Sequence, residues 1–181
     1  PEDAVLNTYR NDGVTHILLS CNSRRKNEPD YAEINDYNPT NQTMSPIKRI
    51  EPDFVHFNPH GIDLVKVKDS IILLVVNHYH QQKQNSILRY LYRSDTLFFI
   101  NQIIDPLITS PNAVTGFSDG TLLISNDSKK TNSFDEVVLK VRKAHIVYWN
   151  GSQCSLATDE KFCYTNGITN RDGKVYLAST R

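Results

Sequence analysis

No apolar run in this chain approaches the roughly 20 residues of a membrane helix. Charge of one sign is also missing. The 20 basic and 20 acidic residues cancel and are interspersed. That balance lacks the basic footprint of a nucleic-acid binder. The cluster Arg24-Arg25-Lys26 is too short to supply one and reads as a solvated loop. Hydrophobic content of 39% sets the chain apart from disordered polypeptides. The 181 residues suffice to bury a core as one domain. Cysteine is scarce. Cys21, Cys154 and Cys163 fit no zinc spacing. Cys154 and Cys163 could cross-link neighbouring strands or stay as thiols. There is no initiator Met, and Pro1 opens directly into a polar turn. No signal peptide is visible, and a processed or truncated chain is expected. The sequons Asn41-Gln42-Thr43, Asn126-Asp127-Ser128 and Asn150-Gly151-Ser152 permit glycosylation without deciding the compartment. A secreted or periplasmic location is favoured.

What the chain does have is β signal. Short runs rich in Val, Ile, Leu and aromatics predict strands at 15–20, 62–67, 71–76, 87–92, 97–104, 113–117, 122–125, 146–149 and 175–178. Ser118-Asp119-Gly120 and Arg171-Asp172-Gly173 read as hairpin turns, where glycine accepts positive φ. Lys68-Asp69-Ser70 is the same turn without the glycine. One segment looks helical. Ser133 and Glu136 form a capping box, and Phe134, Val137, Val138 and Val141 then share a face. A short helix near 133–142 is expected.

The turns align three copies of one unit. Each begins with a polar residue before an apolar strand, passes through the turn, and returns in a second strand. The copies start at His60, Asn112 and Asn166, which lie 52 and 54 residues apart. A period near 50 with about four strands is the signature of β-propeller blades. A βαβ fold would need helices between the strands, and the pattern does not supply them. In a propeller the first strand of each blade runs along the central tunnel. His60, Asn112 and Asn166 would then form a ring around the axis. Asn and His also terminate turns for local reasons, but their common phase argues for a shared task. Amide oxygens with one carboxylate suit Ca²⁺, whereas zinc prefers imidazole and thiolate. Glu2 lies 58 residues before His60, about one blade earlier, and could supply the carboxylate.

Two strings, Phe57-Asn58-Pro59-His60-Gly61-Ile62 and Leu74-Val75-Val76-Asn77-His78, recur in this order in one family. With Ser125-Asn126-Asp127 and Asn166-Gly167-Ile168, they make the chain resemble the paraoxonase/arylesterase family. It resembles the gluconolactonase and strictosidine-synthase propellers more loosely. The resemblance implies an all-β, six-bladed propeller with a catalytic calcium in the tunnel. It further implies hydrolysis of a lactone or aryl ester. Carried over by motif, Glu2, Asn112 and Asn166 would be calcium ligands. His60 and His78 would match the family's histidine pair, which activates water. Asp127 would sit near the pocket. The inserted helix would cap the active-site face.

The chain departs from the pattern in two places. The family usually has Asp after the first ligand Asn, for a second, structural calcium, and this chain has Ala113. Asp3 and the Ile62 carbonyl could still contribute, but the second ion becomes doubtful. A His commonly follows the Asn-Asp turn, where this chain has Ser128. The blade repeats start near 2, 60, 112 and 166, so residues 1–181 would form a single partial propeller domain of about three blades. The family's further calcium ligands lie in later blades. Completion by a second polypeptide, by a second copy or by a longer protein is expected. Two competing functions are a non-catalytic, metal-stabilised propeller that binds a partner and a metal-free strictosidine-synthase-like enzyme.

Overall fold

The computed structural model describes residues 1–10, 12–23, 31–79, 84–127 and 142–179. The helix expected near 133–142 lies outside the described residues, apart from Arg142, and so does Ser128. Among the described residues there are fifteen strands and no helix. They are β1 (Asp3–Asn7), β2 (His16–Asn22), β3 (Ala32–Asn38), β4 (Thr43–Pro46), β5 (Lys48–Ile50), β6 (Pro59–Val67), β7 (Ser70–Tyr79) and β8 (Gln84–Arg93). Then follow β9 (Thr96–Ile103), β10 (Pro111–Gly116), β11 (Leu122–Asn126), β12 (Ile146–Trp149), β13 (Cys154–Leu156), β14 (Thr165–Arg171) and β15 (Lys174–Ser179). Three sheets and a hairpin result. The orders are β1-β2-β3-β4, β5-β9-β8-β7-β6, β10-β11-β12-β13 and β14-β15. All pairings are antiparallel except β5 with β9, which is parallel. One edge strand of each sheet lies beside that of the next, and these inner strands are β1, β6, β10 and β14: β6 packs against β1 and β10, and β10 against β14. This is the blade arrangement of a β-propeller.

The strand β7 shows why the sequence takes this form. Its apolar run is unbroken, because successive side chains point to opposite faces and both faces are buried. Leu73 and Val75 enter a core with Leu18, Ile34, Leu64, Leu88 and Tyr90, between the first two sheets. Ile72, Leu74 and Val76 enter a second core with Val114, Leu122, Ile124, Val147 and Trp149. A third, smaller core joins Ala113, Ile146 and Ile168. The tight turns follow the sequence as well. Gly120 and Gly173 have φ of 92° and 72°, and Lys68 takes the left-handed region at 54° without being glycine. The three cysteines are free thiols, so Cys154 and Cys163 are not cross-linked. Burial and the nearby Asp105 carboxylate push the Cys154 thiol up to about 11.

Adjacent inner strands do not share a ladder, so side chains tie them. The Asp63 carboxylate on β6 accepts the Thr115 hydroxyl at 3.1 Å and the Gly116 N–H at 2.9 Å on β10. From β14, the Asn170 amide donates to the Thr115 hydroxyl oxygen at 2.7 Å and the Gly116 carbonyl at 2.8 Å. Asp3 performs the same task between the first two sheets, accepting the Ile62 N–H at 2.8 Å. Where the strands come closest there is no room for a side chain. A Cβ on Gly61 would stand 2.3 Å from the Asn112 carbonyl oxygen and 2.8 Å from the Ala113 Cα.

Two predictions follow from these contacts between inner strands. Gly61→Ala must move backbone rather than a flexible side chain, so it should cost about 1–3 kcal/mol, the range for overpacking. A lowered urea midpoint at unchanged m-value would show this; an unchanged midpoint would refute the close approach. Asp63 is held above the usual carboxylate range, chiefly by burial, although bonds from Gly116, Thr115 and Leu64 pull the other way. The folded state therefore binds this proton more tightly than the unfolded chain. The cost of the buried charge is fully present above the folded pKa. It is relieved as pH falls towards the unfolded value. The stability of the wild type relative to Asp63→Asn should rise between pH 7 and pH 4.5. Paired denaturation curves test it, and a difference that shrinks on acidification would contradict the assignment.

Candidate functional site

His60, Asn112 and Asn166 are each the second residue of an inner strand, β6, β10 and β14. The pairing of each inner strand with its neighbour slips at that point. The register shifts between Pro59 and Ile62, between Pro111 and Ala113, and between Thr165 and Gly167. Such bulges leave a residue out of the ladder and re-aim its side chain. Each slip takes out the polar residue in phase, together with Gly61 on β6. Hydroxyls bind backbone groups beside the slips of β6 and β10. Ser20 donates to the His60 carbonyl. The Ser125 hydroxyl accepts the Ala113 N–H at 3.2 Å. Thr165 donates to the Asn126 carbonyl.

Glu2 stands one residue before β1, with its N–H bonded to the Ser20 carbonyl at 2.7 Å. Its Oε2 lies 3.3 Å from the His60 Nδ1, and both side chains are largely buried. The His78 ring, near the end of β7, meets the His60 ring edge-on, with centroids 5.2 Å apart at 62°. The Asn112 amide donates from Nδ2 to the Asn166 Oδ1 at a long 3.4 Å. Two groups therefore form at one end of the inner strands: Glu2, His60 and His78, and beside them Asn112 with Asn166. The close approach of Gly61 to the Asn112 carbonyl joins them. Asp3 and Ile62 also meet, but through the Ile62 N–H rather than its carbonyl. Asp127 follows β11 and donates its N–H to the Ser110 carbonyl at 2.9 Å, two residues from Asn112.

Several residues that support the site had no role assigned from the sequence. Asn77 accepts the Asn58 N–H at 2.6 Å and donates to the His56 carbonyl at 2.9 Å, pinning the segment that leads into His60. The His78 N–H bonds the Asn58 carbonyl at 3.0 Å. Asn126 is fully buried and accepts the Thr109 and Ser110 amides at 2.9 and 3.0 Å. Asn85, opposite His78 across the β7–β8 ladder, accepts at 2.9 Å from the His78 Nδ1. Asn77 and Asn126 stood inside the quoted strings, beside His78 and Asp127. Asn85 depends on cross-strand register, which spacing alone does not give.

The donor types at the ring position suit a hard cation. They are one carboxylate, Glu2, and two amides, Asn112 and Asn166, which together offer oxygen at low net charge. Turning the Asn112 amide over would present its oxygen in place of its nitrogen. Among the described residues no group of three or more His, Cys, Asp or Glu side chains gathers as a metal site. Any cation held here would rely on asparagine oxygens. A separate cleft of about 520 Å³ lies at the opposite ends of these strands, lined by Tyr9, Arg10, Ser70, Tyr92 and Asp95. It shares no residue with the ring position.

A family model described as Arylesterase matches residues 12–181. Serum paraoxonase/lactonase 3 of Homo sapiens is 28% identical over 152 residues, covering 81% of this chain and 42% of that protein. Serum paraoxonase/arylesterase 2 of Gallus gallus is 27% identical over 129 residues, covering 69% of this chain and 36% of that protein. The match thus spans less than half the length of either relative. With the bulged inner strands and the paired histidines in place, the chain belongs to the arylesterase family.

Proposed function

We propose that this chain carries part of the active site of a calcium-dependent hydrolase acting on a lactone or an aryl ester. The observation that carries the reading is the repeated bulge. Three successive inner strands displace a polar side chain at one position, and one of the three is a histidine in edge-on contact with a second histidine. The names of the relatives, paraoxonase, lactonase and arylesterase, support the substrate class.

In this reading Glu2, Asn112 and Asn166 hold one Ca²⁺. When bound, calcium supplies Lewis-acid stabilisation of the negative charge that develops on an ester carbonyl oxygen. The chain's own residues supply the proton transfer. The carboxylate of Glu2 keeps the proton of His60 on Nδ1, which makes Nε2 the basic nitrogen. His60 then removes the proton of an attacking water, and His78 orients the His60 ring. A carboxylate has two oxygens, so Glu2 can face the imidazole with one and a cation with the other. Asp127 belongs to the pocket wall. A second calcium at Asp3 and Ile62 is not part of the proposal. Asp3 is committed to the Ile62 amide, and Ala113 brings no carboxylate. The propeller is taken as six-bladed. A second polypeptide, a second copy or further chain then supplies the other blades and the other calcium ligands.

The test uses the complete protein. His60→Gln should lower lactone turnover by about 10²-fold or more, the usual cost of losing a general base. Undiminished turnover would remove His60 from the mechanism. Asn112→Leu and Asn166→Leu should weaken calcium affinity, read by isothermal titration, and lower activity in parallel. Full calcium affinity in both variants would refute their role as ligands. Calcium-dependent melting with no turnover of any lactone or aryl ester would instead favour a non-catalytic, metal-stabilised propeller. Native mass in calcium would show whether a second chain completes the ring.

A further inference from the structure

We propose that Asn85 is a positioning residue that fixes His78 in its Nδ1–H tautomer. Asn85 is the second residue of β8 and pairs with His78 in the β7–β8 ladder. Its side-chain amide has two distinct ends, and the structure decides which faces the imidazole. The Nδ2 donates to the Thr109 carbonyl at 2.6 Å. A carbonyl oxygen can only accept, so this bond sets the amide orientation. The Oδ1 is then the atom 2.9 Å from the His78 Nδ1. An amide oxygen is also only an acceptor, so the imidazole must donate, and its Nδ1 carries the hydrogen. The lone pair of the neutral ring therefore sits on Nε2.

The anchoring extends one residue further in each direction. Thr109 is itself held, because its N–H donates to the buried Asn126 Oδ1 at 2.9 Å. The anchor for the tautomer is thus the third sheet, reached through Asn126 on β11. On the other side, the His60 Nδ1 faces the Glu2 carboxylate at 3.3 Å. Both imidazoles are held by an oxygen at Nδ1, and both present Nε2 as the basic nitrogen. If Asn85 were lost, His78 could put its hydrogen on Nε2 instead and withdraw its lone pair from the pair.

The kinetic part of this inference rests on the hydrolase reading, and the spectroscopic part does not. The two substitutions to compare are Asn85→Leu and Asn85→Asp, in the complete protein. Leu removes both hydrogen bonds. Asp keeps an acceptor for the His78 Nδ1 but loses the N–H that binds the Thr109 carbonyl. Long-range ¹H–¹⁵N spectra of the histidine side chains report the tautomer directly. The wild type and Asn85→Asp should both show His78 protonated on Nδ1, and Asn85→Leu should show a mixture or the Nε2–H form. In turnover, Asn85→Leu should lose about tenfold or more in kcat with KM changed less than about twofold, and Asn85→Asp should recover most of the loss. If Asn85 served only to tie β8 to the Thr109 segment, both variants would fall alike, and the proposal would be overturned. It would also be overturned by an unchanged Nδ1–H signal in Asn85→Leu. A wild type that turns over no ester but shows the predicted tautomers would remove the hydrolase reading and leave the role of Asn85 standing. Should Asn85→Leu fail to fold, the tautomer in Asn85→Asp still decides, since an Nε2–H form there contradicts the proposal.

Discussion

The site depends on one backbone irregularity repeated three times. A β-ladder with perfect register would place residues 60, 112 and 166 in the alternation of their strands. The slip at each position frees them from it. The slips have a cost, because each leaves ladder groups without a backbone partner, and buried polar groups must be satisfied. Hydroxyls meet part of that need beside the slips of β6 and β10: Ser20 at the His60 carbonyl, Ser125 at the Ala113 N–H, and Thr165 at the carbonyl of Asn126, the residue opposite Pro111. The slip itself recurs at the same place in three inner strands, which marks it as part of their construction and not a local accident.

Rigidity around this point comes from contacts between strands that do not pair. Two inner strands meet where Gly61 lies against the Asn112 carbonyl, at a distance that admits no side chain. Further along the same strands, Asp63 and Asn170 both converge on Thr115 and Gly116. Asp63 is buried enough that its charge is disfavoured, yet it ties two strands through two hydrogen bonds. The apolar cores on either side of β7 fix the sheets against one another. The polar ties then set the phase of one inner strand on the next. Displacing β6 along its axis would separate His60 from Glu2, and displacing β14 would separate Asn166 from Asn112.

The repeat was legible in the sequence because it rests on spacing. His60, Asn112 and Asn166 precede apolar strands at a near-constant interval, and strands such as Ile146–Trp149 are bounded where periodicity places them. The strand Ala32–Asn38 was not legible, because its buried positions include Asn35 and Asp36 beside Ile34. Asp36 is buried only because Arg10 and His16 bind it from outside the strand, at 2.5 and 2.9 Å. Those partners are 26 and 20 residues away, and no local pattern announces them. The strands Thr43–Pro46 and Lys48–Ile50 are short, mostly exposed edges with no alternation to read. The bulges were invisible for a related reason. A bulge is a property of two strands in register, whereas the sequence shows each strand alone. The ring position could be found by phase, while the reason its side chains leave the ladder could not.

The same distinction separates the two histidines. Each stands in a recognisable motif, but their partners differ in a way that only the fold reveals. His60 faces a carboxylate, and His78 faces a neutral amide. The Glu2 carboxylate lies 3.3 Å from the His60 Nδ1, whereas the Asn85 amide oxygen accepts from the His78 Nδ1 at 2.9 Å. The pair is therefore asymmetric by construction: of two rings 5.2 Å apart, one is set by a carboxylate and the other by a neutral amide. The carboxylate comes from the first sheet and meets His60 through the packing of inner strands, while the amide meets His78 through the β7–β8 ladder.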